Sequence, residues 1–219
     1  MKEGDTEGAK KRYGIAIKGY NEFLNHYKAE PSWDEYKVYA NLALVYQEMS
    51  QYAKAADMFN KIVDADTNRY GRRALGSAAP YKKEDAGYNA VIMMDKARSE
   101  AQKNKANDDP VKAYELPETK AYFAQVDKYM KKFSQQKEAV ELAYNAAIIR
   151  YQAKQYKQAV VDFRALKTNY PNNQYILLIS RMLAQSLLES EALDESQKEF
   201  EWLLKQYTSS AASKSQLRI

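Results

Sequence analysis

Few side chains in this sequence could do chemistry, and their types decide which chemistry is left. The chain of 219 residues has no cysteine and one histidine, His26. That removes thiolate nucleophiles, disulfides and cysteine-type zinc sites. A single imidazole builds no multi-histidine metal centre, and without a nucleophile-elbow motif it argues for no Ser/His/Asp triad either. His26 reads instead as a surface residue near a helix end. The run Asp64-Ala65-Asp66-Thr67-Asn68 imitates the start of a calcium loop. Such a loop needs glycine at its sixth position and glutamate at its twelfth, where this chain has Arg69 and Leu75, so the run reads as a turn. Asp108-Asp109-Pro110 is expected to be a solvated turn. The 7 glycines are scattered and form no phosphate-cradling loop. The expectation is a protein without catalytic residues, metal or cofactor, and therefore not an enzyme.

Charge leaves one feature. The formal net charge is +5, and Arg69, Arg72, Arg73, Lys82 and Lys83, with no acid among them, account for all of it. Tyr70 and Tyr81 are interleaved with them. A spread basic face for nucleic acid is disfavoured, whereas a local patch contacting an acidic partner or a phosphate is not. A nucleic-acid or anion-binding helical repeat using this 69–83 segment stands as the alternative reading of function. The 19 tyrosines read mainly as packing residues, because the ring buries while the hydroxyl stays wet.

Helices must position these residues. Only 7 glycines and 5 prolines are present, far fewer than sheet-rich folds spend on turns. The chain is 45% hydrophobic and 29% charged, as in soluble globular domains. Apolar runs such as Tyr175 to Ile179 fall well short of the roughly 18 residues that a membrane helix needs. The first residues hold no apolar stretch of the signal-peptide kind.

A pattern recurs along the chain. Tyr52, Ala55, Phe59, Ile62 and Thr67 share their spacing with Tyr156, Ala159, Phe163, Leu166 and Pro171, and with Leu193, Ser196, Phe200, Leu203 and Thr208. A fourth copy runs Tyr13, Ala16, Tyr20, Phe23, Lys28. The first four positions fall on one helical face, with a small residue where a neighbouring helix must come close. Turn signatures follow at Phe133-Ser134-Gln135-Gln136, Tyr170-Pro171-Asn172-Asn173 and Tyr207-Thr208-Ser209-Ser210, 37 residues apart. In the copy ending at Phe133 the small position holds Tyr122, and a slight rotation is expected to bring Ala121 there. A second amphipathic helix precedes the better copies, so the unit is a helix–turn–helix hairpin.

These residues resemble the tetratricopeptide repeat (TPR). The stretch Tyr39 to Asn68 is similar to it at Tyr39, Leu42, Ala43, Tyr46, Tyr52, Ala55 and Phe59, with Ser50 in place of the turn glycine. Val140 to Asn173 matches at Ala147, Tyr156, Ala159, Phe163 and Pro171. The resemblance implies an all-α fold, a right-handed TPR superhelix (α-solenoid) over residues 1–219. Its repeats would be about 1–28 (partial), 36–68, 85–136 with an insertion at 104–118, 140–173 and 176–208. Residues 209–219 would open a further one. Neither end looks like a capping repeat, so a piece of a longer protein is expected, with any signal sequence or lipid anchor outside it. The period and the aromatic-Pro-Asn-Asn turn look most like TPR domains of bacterial cell-envelope proteins. A periplasmic or outer-membrane-associated location is thus expected, with the cytoplasm as the alternative.

The resemblance also implies a site. First helices line the concave TPR surface, and their sixth position is asparagine, here Asn41, Asn89 and Asn145. Tyr88 and Tyr144 precede the last two, and Arg181 takes the fifth position in the final repeat. In peptide-binding relatives such asparagines hydrogen-bond the ligand backbone. The lysine-containing clamp for chaperone tails is not reproduced, since Ala40 and Tyr144 stand at its lysine position. The implied function is a non-catalytic scaffold binding a peptide or protein partner, with nucleic acid disfavoured.

Overall fold

The structure, a computed structural model, describes residues 6–26, 33–65 and 82–216. Among the described residues the chain is all-helical. The helices are α1 (Thr6–His26), α2 (Trp33–Glu48), α3 (Tyr52–Asp64), α4 (Lys83–Ala106) and α5 (Pro110–Tyr114), then α6 (Pro117–Phe133), α7 (Glu138–Gln152), α8 (Tyr156–Asn169), α9 (Ile176–Glu189) and α10 (Leu193–Gln216). They pack in sequential pairs.

Three of the hairpins, α2–α3, α7–α8 and α9–α10, turn in the same way. Ser50, Lys154 and Glu191 each take a left-handed backbone conformation, with φ of 55°, 60° and 65°. The next amide reaches back five residues: Gln51 N to Tyr46 O at 2.8 Å, Gln155 N to Arg150 O at 2.9 Å and Ala192 N to Leu187 O at 2.9 Å. This is the Schellman arrangement, which satisfies the last carbonyls of the first helix before the chain reverses. Glycine is the usual residue there because it has no Cβ to clash. This chain adopts the conformation without it.

Two compact units result, and they interleave along the sequence. The first comprises Met1–Lys103 and Pro117–Phe133. Its core gathers Tyr36, Leu42 and Ala43 of α2, Phe59 and Ile62 of α3, and Ala86, Ala90 and Met93 of α4. Tyr20 and Phe23 of α1 pack on it half-buried. Helix α6 runs antiparallel to α4. At one end a Cβ on Gly87 would lie 2.9 Å from Phe133 Cε2, so glycine permits the close approach. At the other end the Arg98 guanidinium sits 5.6 Å over the Tyr122 ring centroid. Tyr122 is itself buried and Ala121 only half-buried, so no rotation replaces the tyrosine. A neighbouring side of α6 meets α3, where Asn60 and Gln125 exchange two amide hydrogen bonds of 2.8 and 3.1 Å.

The second unit comprises Asn104–Leu116 and Ser134–Ile219. Val140, Ala147, Ala159, Phe163, Leu166, Ile179, Leu183 and Leu187 form its core. Helix α9 is buried over most of its circumference because it lies between α8 and α10. Arg150 of α7 pairs with Asp162 of α8. Arg164 of α8 donates to Glu195 of α10 at 2.6 Å, and Lys167 pairs with Glu199 while lying 3.9 Å over the Trp202 ring.

Two expectations are corrected. Asp108-Asp109-Pro110 is more than a solvated turn: Asp109 caps α5, accepting from Val111 N at 2.9 Å and Lys112 N at 3.4 Å. Pro110 and Pro117 both serve as first helical residues, where the missing amide costs nothing. Tyr207-Thr208-Ser209-Ser210 is helical, and α10 runs on to Gln216 instead of ending before a new unit. Thr208 stands where Pro171 ended the earlier copy; it keeps its backbone amide, and its hydroxyl donates to the Leu204 and Lys205 carbonyls at 3.0 Å.

Candidate functional site

In the second unit, α7 and α9 are the first helices of successive hairpins. Tyr144 of α7 is half-buried, and its ring meets Phe163 edge-on with centroids 5.8 Å apart. Burial pushes the Tyr144 phenol above its ordinary value, and the charge of Arg181 on α9 pulls it partly back. The guanidinium therefore sits within electrostatic reach of the phenol. Arg181 and Asn145 are both exposed. Three groups with distinct roles result: an aromatic ring anchored from below, an amide and a permanent cation. Their neighbours Ala146, Ala147, Ser180 and Met182 are buried, so the exposed side chains rise from rigid helices.

In the first unit, Asn41 is exposed on α2, while Tyr88 and Asn89 are half-buried on α4. A polar cleft of about 330 Å³ lies beside α3, lined by Glu35, Tyr39, Asp57, Lys61, Asp64 and Lys128 among others. Lys128 and Lys132 each donate to Asp64 at 2.7 Å. Burial alone would raise the Asp64 carboxyl, but the two ammonium groups outweigh it and hold it below its ordinary value. Among the described residues no cluster of acids or histidines is placed to hold a metal ion.

Arg69, Arg72 and Arg73 of the expected anion patch lie outside the described residues. Lys82 is exposed, and Lys83 is half-buried with its ammonium donating to the Ala65 carbonyl at 2.5 Å. That bond ties the start of α4 to the end of α3, a structural use of one cation in the patch.

Sequence reasoning missed the ion pairs of Asp64 and the pairing of Lys167 with Glu199. Their partners are on other helices and follow no local spacing. It also missed an apolar stripe on α10, although the register that reveals it was visible.

Residues 40–67 and 141–173 match the tetratricopeptide repeat family. These segments cover most of α2–α3 and of α7–α8, the hairpins that share the left-handed turn and the Ala55/Phe59 and Ala159/Phe163 positions. No curated protein matches the chain. Tetratricopeptide repeats imply protein–protein interaction in general and are typically non-catalytic. Among the described residues no helix is long and apolar enough to cross a membrane.

Proposed function

We propose that the protein is a non-catalytic interaction scaffold and that the α7–α9 face of its second unit receives a peptide or protein partner. The observation that carries this reading is the pair of exposed polar side chains, Asn145 of α7 and Arg181 of α9, with the half-buried Tyr144 ring fixed edge-on against Phe163 next to the first. An extended peptide brings unpaired backbone donors and acceptors, and the Asn145 amide offers one of each. Arg181 adds a fork of donors suited to a partner carboxylate. Tyrosine and arginine are also the residue types enriched where binding energy concentrates. Asn41, Tyr88 and Asn89 supply the same chemistry on the first unit. The repeat period and the aromatic-Pro-Asn-Asn turn at Tyr170 support a bacterial envelope assembly, periplasmic or outer-membrane-associated, as the setting.

A peptide-display selection against the folded chain, counter-selected with Asn145→Ala/Arg181→Ala, tests the reading. Both side chains are exposed, so the melting temperature should stay within about 1–2 °C of wild type. Selected peptides should bind the double variant at least about tenfold more weakly. Peptides that bind both proteins equally would place the binding face elsewhere.

A further inference from the structure

The last hairpin repeats the register of the earlier ones but not their burial. Phe59 and Phe163 are 1% and 0% exposed, whereas Phe200, at the same place in α10, is 40% exposed. Leu193, Leu204 and Tyr207 are 61%, 65% and 55% exposed. Leu193, Phe200 and Tyr207 recur at seven-residue intervals and Leu204 lies one turn after Phe200, so the four form a narrow stripe about 21 Å long. The stripe is distinct from the contacts α10 already makes. Ser196 and Leu203 are buried, with Ser196 Oγ donating to Ala184 O of α9 at 2.9 Å. Glu195 and Glu199 turn to α8. Single exposed apolar side chains need no explanation, but a contiguous heptad stripe does.

We propose that this stripe is the contact face of a homodimer in which two copies of α10 pair antiparallel about a two-fold axis at Phe200. Such a pair sets Leu193 of one copy against Tyr207 of the other, so the stripe complements itself as a two-fold interface requires. Charge fits the same arrangement. Asp194, Glu201, Lys198 and Lys205 lie on one flank of the stripe, and in the antiparallel pair, where like flanks meet, Asp194 and Glu201 of one copy come opposite Lys205 and Lys198 of the second. With one helix face per copy, the buried area falls at the low end of specific interfaces, and the dimer is expected to be of micromolar affinity.

Sedimentation equilibrium of the full 219-residue chain, from low micromolar to several hundred micromolar, tests this. Wild type should pass from monomer to dimer. Leu204→Glu should raise the dissociation constant at least about tenfold, with an unchanged helical circular dichroism spectrum. Lys205→Glu should weaken the dimer as well, and adding Asp194→Lys should restore it. Because both charged residues are exposed, this pair decides the matter even if Leu204→Glu disturbs the helix. A chain that stays monomeric throughout, or a dimer indifferent to Leu204→Glu, overturns the proposal and leaves the stripe to a different helix. Failure of the charge exchange to restore the dimer overturns the antiparallel pairing.

Discussion

Asp64 shows how a side chain at a helix end serves the fold. It closes α3 and accepts from Lys128 and Lys132 of α6, which fastens two helices far apart in sequence. Because its carboxyl is held below the ordinary value in the fold, its contribution is complete above the unfolded-state value near 4 and is lost as pH falls through the folded one. Asp64 is about half exposed, so solvent screening keeps the effect under about 1 kcal/mol. Asp64→Asn should therefore destabilise by that order from neutral pH to about pH 5. Denaturant melts of the two proteins should converge below about pH 4, and a gap that widened on acidification would refute the assignment. The buried template residues Ala55, Phe59, Ala159 and Phe163 were legible from spacing alone. The ion pairs were not, because nothing near Asp64 in sequence announces two lysines on α6.

The hairpins were legible as elements and their turns only in part. Spacing of apolar residues located the helix pairs, and the departure from glycine at Ser50 was plain. What the sequence hid is that Ser50, Lys154 and Glu191 all adopt the left-handed conformation regardless, held by the recurring hydrogen bonds to Tyr46, Arg150 and Leu187. A non-glycine residue in that conformation costs roughly 1–2 kcal/mol, while glycine returns part of the gain through unfolded-chain entropy. Lys154→Gly is therefore expected to stabilise the second unit by up to about 1 kcal/mol, and Lys154→Ala to leave it nearly unchanged. Thermal melts distinguish these outcomes; a destabilising Lys154→Gly would mean that the lysine side chain itself supports the turn. The continuation of α10 escaped prediction for a related reason: Thr208 occupies the place of Pro171 but does not force the helix to end.

Two compact units, each with its own core, make up the 219-residue chain. Their interleaving was hidden in the sequence. Residues 104–116 belong with the second unit, where α5 packs on α7 and buries Ala113, too small an anchor for any pattern to show. The basic surplus was legible by counting, yet counting could not show that Lys83 holds Ala65. The candidate face was legible as residue types at repeat positions, while the anchoring of the Tyr144 ring on Phe163 and the exposure of Asn145 and Arg181 required the packed helices. The claim that this face receives the partner is tested most directly by mapping amide chemical shifts of the labelled protein with a selected peptide. Shifts should cluster on α7 and α9 around Tyr144, Asn145 and Arg181. Shifts confined to α8 and α10, with those amides unmoved, would contradict it.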